Sequence, residues 1–136
     1  MKKFLLILTL ALLAGFASKA QEDDNDKIRD KMREFIQKRL NLSKSEAEKF
    51  TPVFIRYFRE WRQNIREPDV LLRDQKITEI KIRYRTEFRE IVGEKRSNDI
   101  YRQQKIFIDN LKKVRDDQIK ARNERLDNKR TQSLIQ

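Results

Sequence analysis

LNLSKSEAEKFTPVFIRYFREW, residues Leu40 to Trp61, is the stretch whose reading decides the fold. Ser43 followed three residues later by Glu46 is a capping box, in which the serine hydroxyl and the glutamate carboxylate each accept from an otherwise orphaned backbone N–H and fix the first helical turn. Leu42 before the cap and Ala47 after it can staple the incoming chain. Beyond the cap, Ala47, Phe50, Phe54, Tyr57, Phe58, Trp61 and Ile65 recur at steps of three and four. A 3.6-residue period puts them on one face. One helix therefore supplies a large share of an aromatic core, and Phe50, Phe54, Tyr57, Phe58 and Trp61 are expected there rather than in an exposed aromatic box.

The rest of the chain reads as elements that cover this face. Beyond residue 20 the only glycine is Gly93 and the only prolines are Pro52 and Pro68. So few breakers, with no sustained alternation of apolar and polar residues, predict an all-α chain of four helices. The spans expected are about 26–40, 44–66, 75–92 and 95–125, with a charged tail after about 126. Asp26 is the expected N-cap of the first, whose apolar stripe is Ile28, Met32, Phe35, Ile36 and Leu40. Pro52 should bend the second helix, and Glu67-Pro68-Asp69 should open a loop to about Asp74. Ile77, Ile80, Tyr84, Phe88 and Ile91 stripe the third, and Ile100, Phe107, Ile108, Leu111 and Val114 stripe the fourth. Tyr84, Phe88 and Phe107 join the expected core. Read fifty residues apart, Leu42, Phe50, Tyr57, Phe58 and Trp61 match Val92, Ile100, Phe107, Ile108 and Leu111, a register compatible with an imprecise duplication or with two coincident amphipathic units.

The N-terminus bears on where the protein works. Lys2 and Lys3 precede an apolar run from Phe4 to Leu13, and Ser18-Lys19-Ala20 offers small residues where a signal peptidase reads. Residues 1–20 are therefore expected to be a secretory signal cleaved after Ala20. The run is too short for a membrane span, which needs about 18 apolar residues or more. Phe16 stands where a lipoprotein would carry cysteine. A periplasmic protein starting near Gln21 as a single helical domain over 21–136 follows. The chain has no cysteine, so no disulfide can supplement its core.

Without Lys2, Lys3 and Lys19 the formal charge falls from +11 to +8. A mean hydropathy of -0.90 with 40% charged residues implies a modest core under much solvated surface. With no histidine and no cysteine, the usual general base, thiol nucleophile and nitrogen or sulfur metal ligands are missing, and one glycine cannot build a phosphate loop. The adjacent carboxylates Asp23-Asp24 and Asp116-Asp117 read as solvated surface. Neither an enzyme nor a cofactor or metal is expected. Arginine on helices fits nucleic acid, but an exported chain rarely meets it, so acidic clients or anionic envelope material rank above DNA, with a membrane-surface role secondary.

The flanks of the stripes carry the functional expectation. Ile55, Arg59, Arg62 and Arg66 fall together beside the core face of the second helix, and Ile82, Arg85 and Arg89 take the corresponding flank of the third. An apolar residue set among long arginine stems can hold segments of many sequences by burial plus hydrogen bonding. The alternative is an ordinary solvated face on which arginines pair with carboxylates, such as Glu79 with Arg83.

Leu42-Ser43-Lys44-Ser45-Glu46, preceded by a basic amphipathic helix and followed by an aromatic one, resembles the Leu-Thr-x-x-Gln motif of the Spy/CpxP family of periplasmic stress proteins. Serine for threonine and glutamate for glutamine keep the capping chemistry, whereas Val92-Gly93-Glu94-Lys95-Arg96, where a second copy would stand, has lost it. The resemblance implies a bent four-helix protomer, an antiparallel homodimer shaped like a cradle, and ATP-independent holdase activity on unfolded or misfolded envelope proteins. It equally implies an alternative, a regulatory adaptor that binds an envelope stress sensor, since CpxP-like members inhibit a sensing kinase and related exported proteins act as sensors of extracytoplasmic sigma-factor pathways.

Overall fold

The computed structural model describes residues 24–135, so the expected signal segment and its cleavage point lie outside the described residues. The described chain is all-α, with four helices and no strand. Helix α1 covers 24–39, α2 Lys44–Asn64, α3 Val70–Val92 and α4 Glu94–Ile135.

Each joint has a local cause. Helix α1 is closed by Asn41, two residues past its end, whose φ of 54° is left-handed; Asn41 N–H donates to the Lys38 carbonyl and Leu42 N–H to the Gln37 carbonyl, the pairing of a Schellman turn. The capping box follows at once, with the Glu46 N–H donating to Ser43 Oγ at 3.1 Å and the Ser43 N–H donating to Glu46 Oε1 at 3.0 Å. Helices α3 and α4 are joined by Gly93 alone, at φ 84° and ψ 168°. A side chain rarely tolerates that conformation, and glycine there closes one helix and opens the next: its N–H donates to the Arg89 carbonyl and its carbonyl accepts from Ser97 N–H.

Three expected boundaries are corrected. Helix α3 begins at Val70 rather than near 75, because the Asp69 side chain accepts from Leu72 N–H at 3.0 Å and caps the helix directly after Pro68. Asp26 is not a cap; it lies inside α1 and pairs with Arg29 at 3.1 Å. Helix α4 does not stop near 125 but takes in the charged tail and runs to Ile135, and every residue from Asp109 to Ile135 is exposed. At 1.5 Å per residue this arm reaches roughly 40 Å beyond the packed body.

The buried face of α2 is Phe50, Val53, Phe54, Tyr57 and Phe58, met by Ile80, Tyr84, Phe88 and Val92 of α3 and by Ile100 and Phe107 of α4. Met32, Ile36 and Leu40 close it from α1. Tyr57 stands at the centre, with its ring 5.6 Å from Tyr84, 5.9 Å from Phe88 and 5.5 Å from Tyr101. Trp61 departs from the core expectation: it is only partly buried and packs on the edge of the cluster, because the bundle opens one turn beyond Phe58.

The fifty-residue register meets physically at the corners. Glu46, in the first turn of α2, receives the guanidinium of Arg96, in the first turn of α4, and ties the two helix starts together. That ion pair, then the Ser43 N–H, holds the Glu46 carboxyl below the ordinary carboxylate range. A depressed folded-state value contributes stability that is complete above the unfolded pKa and is lost as pH falls through the folded one. Glu46→Gln keeps the capping geometry and removes the charge. Its urea midpoint should therefore sit below wild type at pH 7, and the gap should close as pH falls through the depressed folded-state value. A gap that persists at low pH would show that the pair is not the cause.

Candidate functional site

The two arginine flanks come to rest in separate places. Ile55, Arg59 and Arg62 line a groove of about 360 Å³ with Phe58 of α2 and Asn25, Asp26 and Arg29 of α1. Ile82 and Arg85 line another, of about 260 Å³, with Thr78, Lys81, Asn98 and Tyr101 between α3 and α4. The single client-facing surface expected from the sequence is thus divided, because α1 packs beside one flank and α4 beside the other. Arg66 and Arg89 are exposed and line neither groove.

Among the described residues, Arg59, Arg62, Arg66, Arg85 and Arg89 form no ion pair. Arg62 is the most constrained: its Nε is buried without a partner, and burial, then the neighbouring Arg66, pushes its guanidinium below the ordinary arginine range. In the first groove the arginine that does pair is Arg29, which joins Asp26 within α1. Arg83 joins Glu60 of α2 at 2.9 Å rather than its own-helix neighbour Glu79, and Arg56 joins Glu87 at 2.7 Å. Both are bridges between α2 and α3, and geometry explains why: facing helices bring these heads together, while Glu79 is engaged by Gln75 at 3.2 Å.

A third groove, of about 450 Å³, is built from α2, α3 and α4 together and is not predicted by the periodicity of any one of them. Trp61, Tyr101 and Ile108 form its apolar floor, with Lys81, Arg102, Lys105 and Lys112 on its sides and Asp109 as its one carboxylate. Lys81 sits 5.5 Å from the Tyr101 ring centroid, and burial pushes its ammonium down from the ordinary lysine value. The Tyr101 hydroxyl donates to the Lys81 carbonyl at 2.6 Å, which pins α4 to α3 at this level. The signal in the sequence was Lys105 and Lys112 at helical spacing from Tyr101 and Ile108.

Leu42 and Ser43 line a shallow cavity at the α1–α2 corner with Glu34, Gln37, Lys38, Asn41, Lys44 and Ala47. Their hydrogen bonds are those of the turn itself, so the motif's role here is architectural. Among the described residues no group of three or more histidine, cysteine, aspartate or glutamate side chains could hold a metal ion, and no helix is long and apolar enough to cross a membrane.

Compared with protein-family models, curated proteins and solved structures, the chain matches none.

Proposed function

We propose that this protein is a periplasmic, non-enzymatic, ATP-independent holdase that binds unfolded or partly folded envelope proteins through basic and apolar helical grooves. Export rests on the N-terminal sequence signal, and the family resemblance rests on the motif around Ser43. The observation that carries the reading is that Ile55 and Ile82 line grooves beside Arg59, Arg62 and Arg85, which form no ion pair among the described residues, while the large aromatics of α2 except Trp61 are buried in the core. Such a surface can cover exposed apolar segments and satisfy backbone carbonyls and carboxylates without reading one sequence.

Arg59→Glu with Arg62→Glu, in one chain, should cut suppression of light scattering by an aggregating model client severalfold while leaving the helical circular dichroism intact. Unchanged suppression by a folded double variant would remove the α2 flank from the binding surface.

A second reading, the envelope-stress adaptor or sensor protein, draws support from the α4 arm, which offers one long defined helical surface. Titrating several damaged clients and a purified sensor domain separates the two. A holdase binds the clients with similar modest affinity, and an adaptor binds the sensor alone and tightly.

A further inference from the structure

The Trp61 groove does not stop at the body. At about 100° per residue, Tyr101, Ile108, Ile119 and Leu126 fall in one narrow sector of α4. Lys112 and Lys105 flank them at about 20–40° from Tyr101 on one side, and Arg115 and Arg122 at about 40–60° on the other. The carboxylates of the arm all lie on the Lys105 side, Asp116, Asp109 and Asp127 at about 60–80° from Tyr101 and Glu124 and Asp117 at about 140–160°, so the strip itself carries only cations and is bordered by acid along one edge. Ile119 is 44% exposed and Leu126 is 50% exposed. The strip is one helix wide and begins where Trp61 and Tyr101 floor the groove.

We propose that the Trp61 groove and the strip leading from it along α4 form a docking track for acidic polypeptide segments that carry large apolar residues. The inference rests on the chaperone reading and specifies its substrate class. Charge complementarity selects an acidic occupant, since Lys81, Lys105 and Lys112 have no carboxylate partner among the described residues and only Asp109 opposes them in the groove. A carboxylate beside Lys81 would also offset the cost of burying its ammonium. Shape selects a linear chain: isolated apolar residues spaced along one narrow strip can each take a client side chain, whereas a bilayer surface requires a broad continuous apolar face.

Trp61 is the only tryptophan in the protein, so its fluorescence reports occupancy of the groove directly. The probe is a synthetic glutamate-rich peptide with phenylalanine and leucine at helical spacing, titrated into the full chain. Controls carry lysine in place of every glutamate, or serine in place of every apolar residue. Phosphatidylglycerol vesicles and a thymidine oligonucleotide complete the series. The expected result is a saturable change with the acidic apolar peptide alone, weakened by salt. Lys105→Glu with Lys112→Glu should raise the Kd about tenfold or more, and the same charge change at exposed Lys31→Glu with Lys49→Glu should not. If the double reversal loses helicity, Lys105→Gln with Lys112→Gln replaces it.

An equal response to the lysine peptide overturns the proposal. So does a response to vesicles or oligonucleotide without one to the acidic peptide, or an unchanged Kd in the folded double variant. The chaperone reading stands or falls apart from this: suppression of client light scattering without acidic-peptide binding sinks only the track, and peptide binding without suppression sinks only the holdase.

Discussion

Phe50→Ala is expected to destabilise the protein by about 3–5 kcal/mol, read as a lowered urea midpoint with an unchanged slope. Phe50 is completely buried and its ring lies 5.4 Å from both Phe54 and Phe88, so truncation empties a site walled by other rings and by α3. Rings held on α2 and α3 cannot collapse into the gap without breaking their own contacts, and the cavity term adds to the lost transfer energy. For a single domain of this size the loss is a large part of about 5–15 kcal/mol of total stability. Trp61→Ala is the internal comparison. Despite its larger side chain it should cost less than Phe50→Ala, because Trp61 is only partly buried at the mouth of a groove whose wall can relax into water. If the two costs were equal, Trp61 would belong to the core after all and could not report on groove occupancy.

The contrast between these two residues marks how far the sequence could be read. Phe50 and Trp61 share one apolar stripe with identical spacing rules, and periodicity places both on the inner face of α2. What separates them is where the neighbouring helices end their contact, a property of α3 and α4 rather than of α2. Local chemistry was legible for the same reason: the Ser43–Glu46 box is a contact within one turn, and it forms as its spacing requires. An apolar stripe does not reveal where a cap forms, so α3, capped by Asp69, starts at Val70, five residues before the expected position.

The candidate site was legible residue by residue and illegible as an assembly. Angular position correctly grouped Ile55 with Arg59 and Arg62, and Ile82 with Arg85, because each group lies on one helix. That α1 would stand beside the first group and α4 beside the second depends on packing between elements, which no single-helix projection contains. The Trp61 groove was missed on the same account, being built from α2, α3 and α4 at once. The ion pairs followed a similar rule: Arg83 chose Glu60 across the interface over Glu79 one turn away.

A buried polar contact shows what inter-helix placement does to energetics. The Tyr57 hydroxyl donates to Gln104 Oε1 inside the core, and both side chains are almost fully sealed, with Gln104 Nε2 left without a partner. Burial pushes the Tyr57 phenol far above its ordinary range, so it remains the donor at every accessible pH. Gln104→Leu should cost about 1–3 kcal/mol, because it strands the hydroxyl in an apolar cage. Tyr57→Phe should cost a similar amount by stranding the amide oxygen beside an already unpartnered Nε2. The double variant Tyr57→Phe with Gln104→Leu removes both groups together and should return close to wild-type stability, well short of the sum of the singles. Additive losses would mean that the two side chains contribute independently through packing. Strong non-additivity would identify the pair as the polar contact that fixes the register of α4 against α2, and hence the level at which the arm leaves the body.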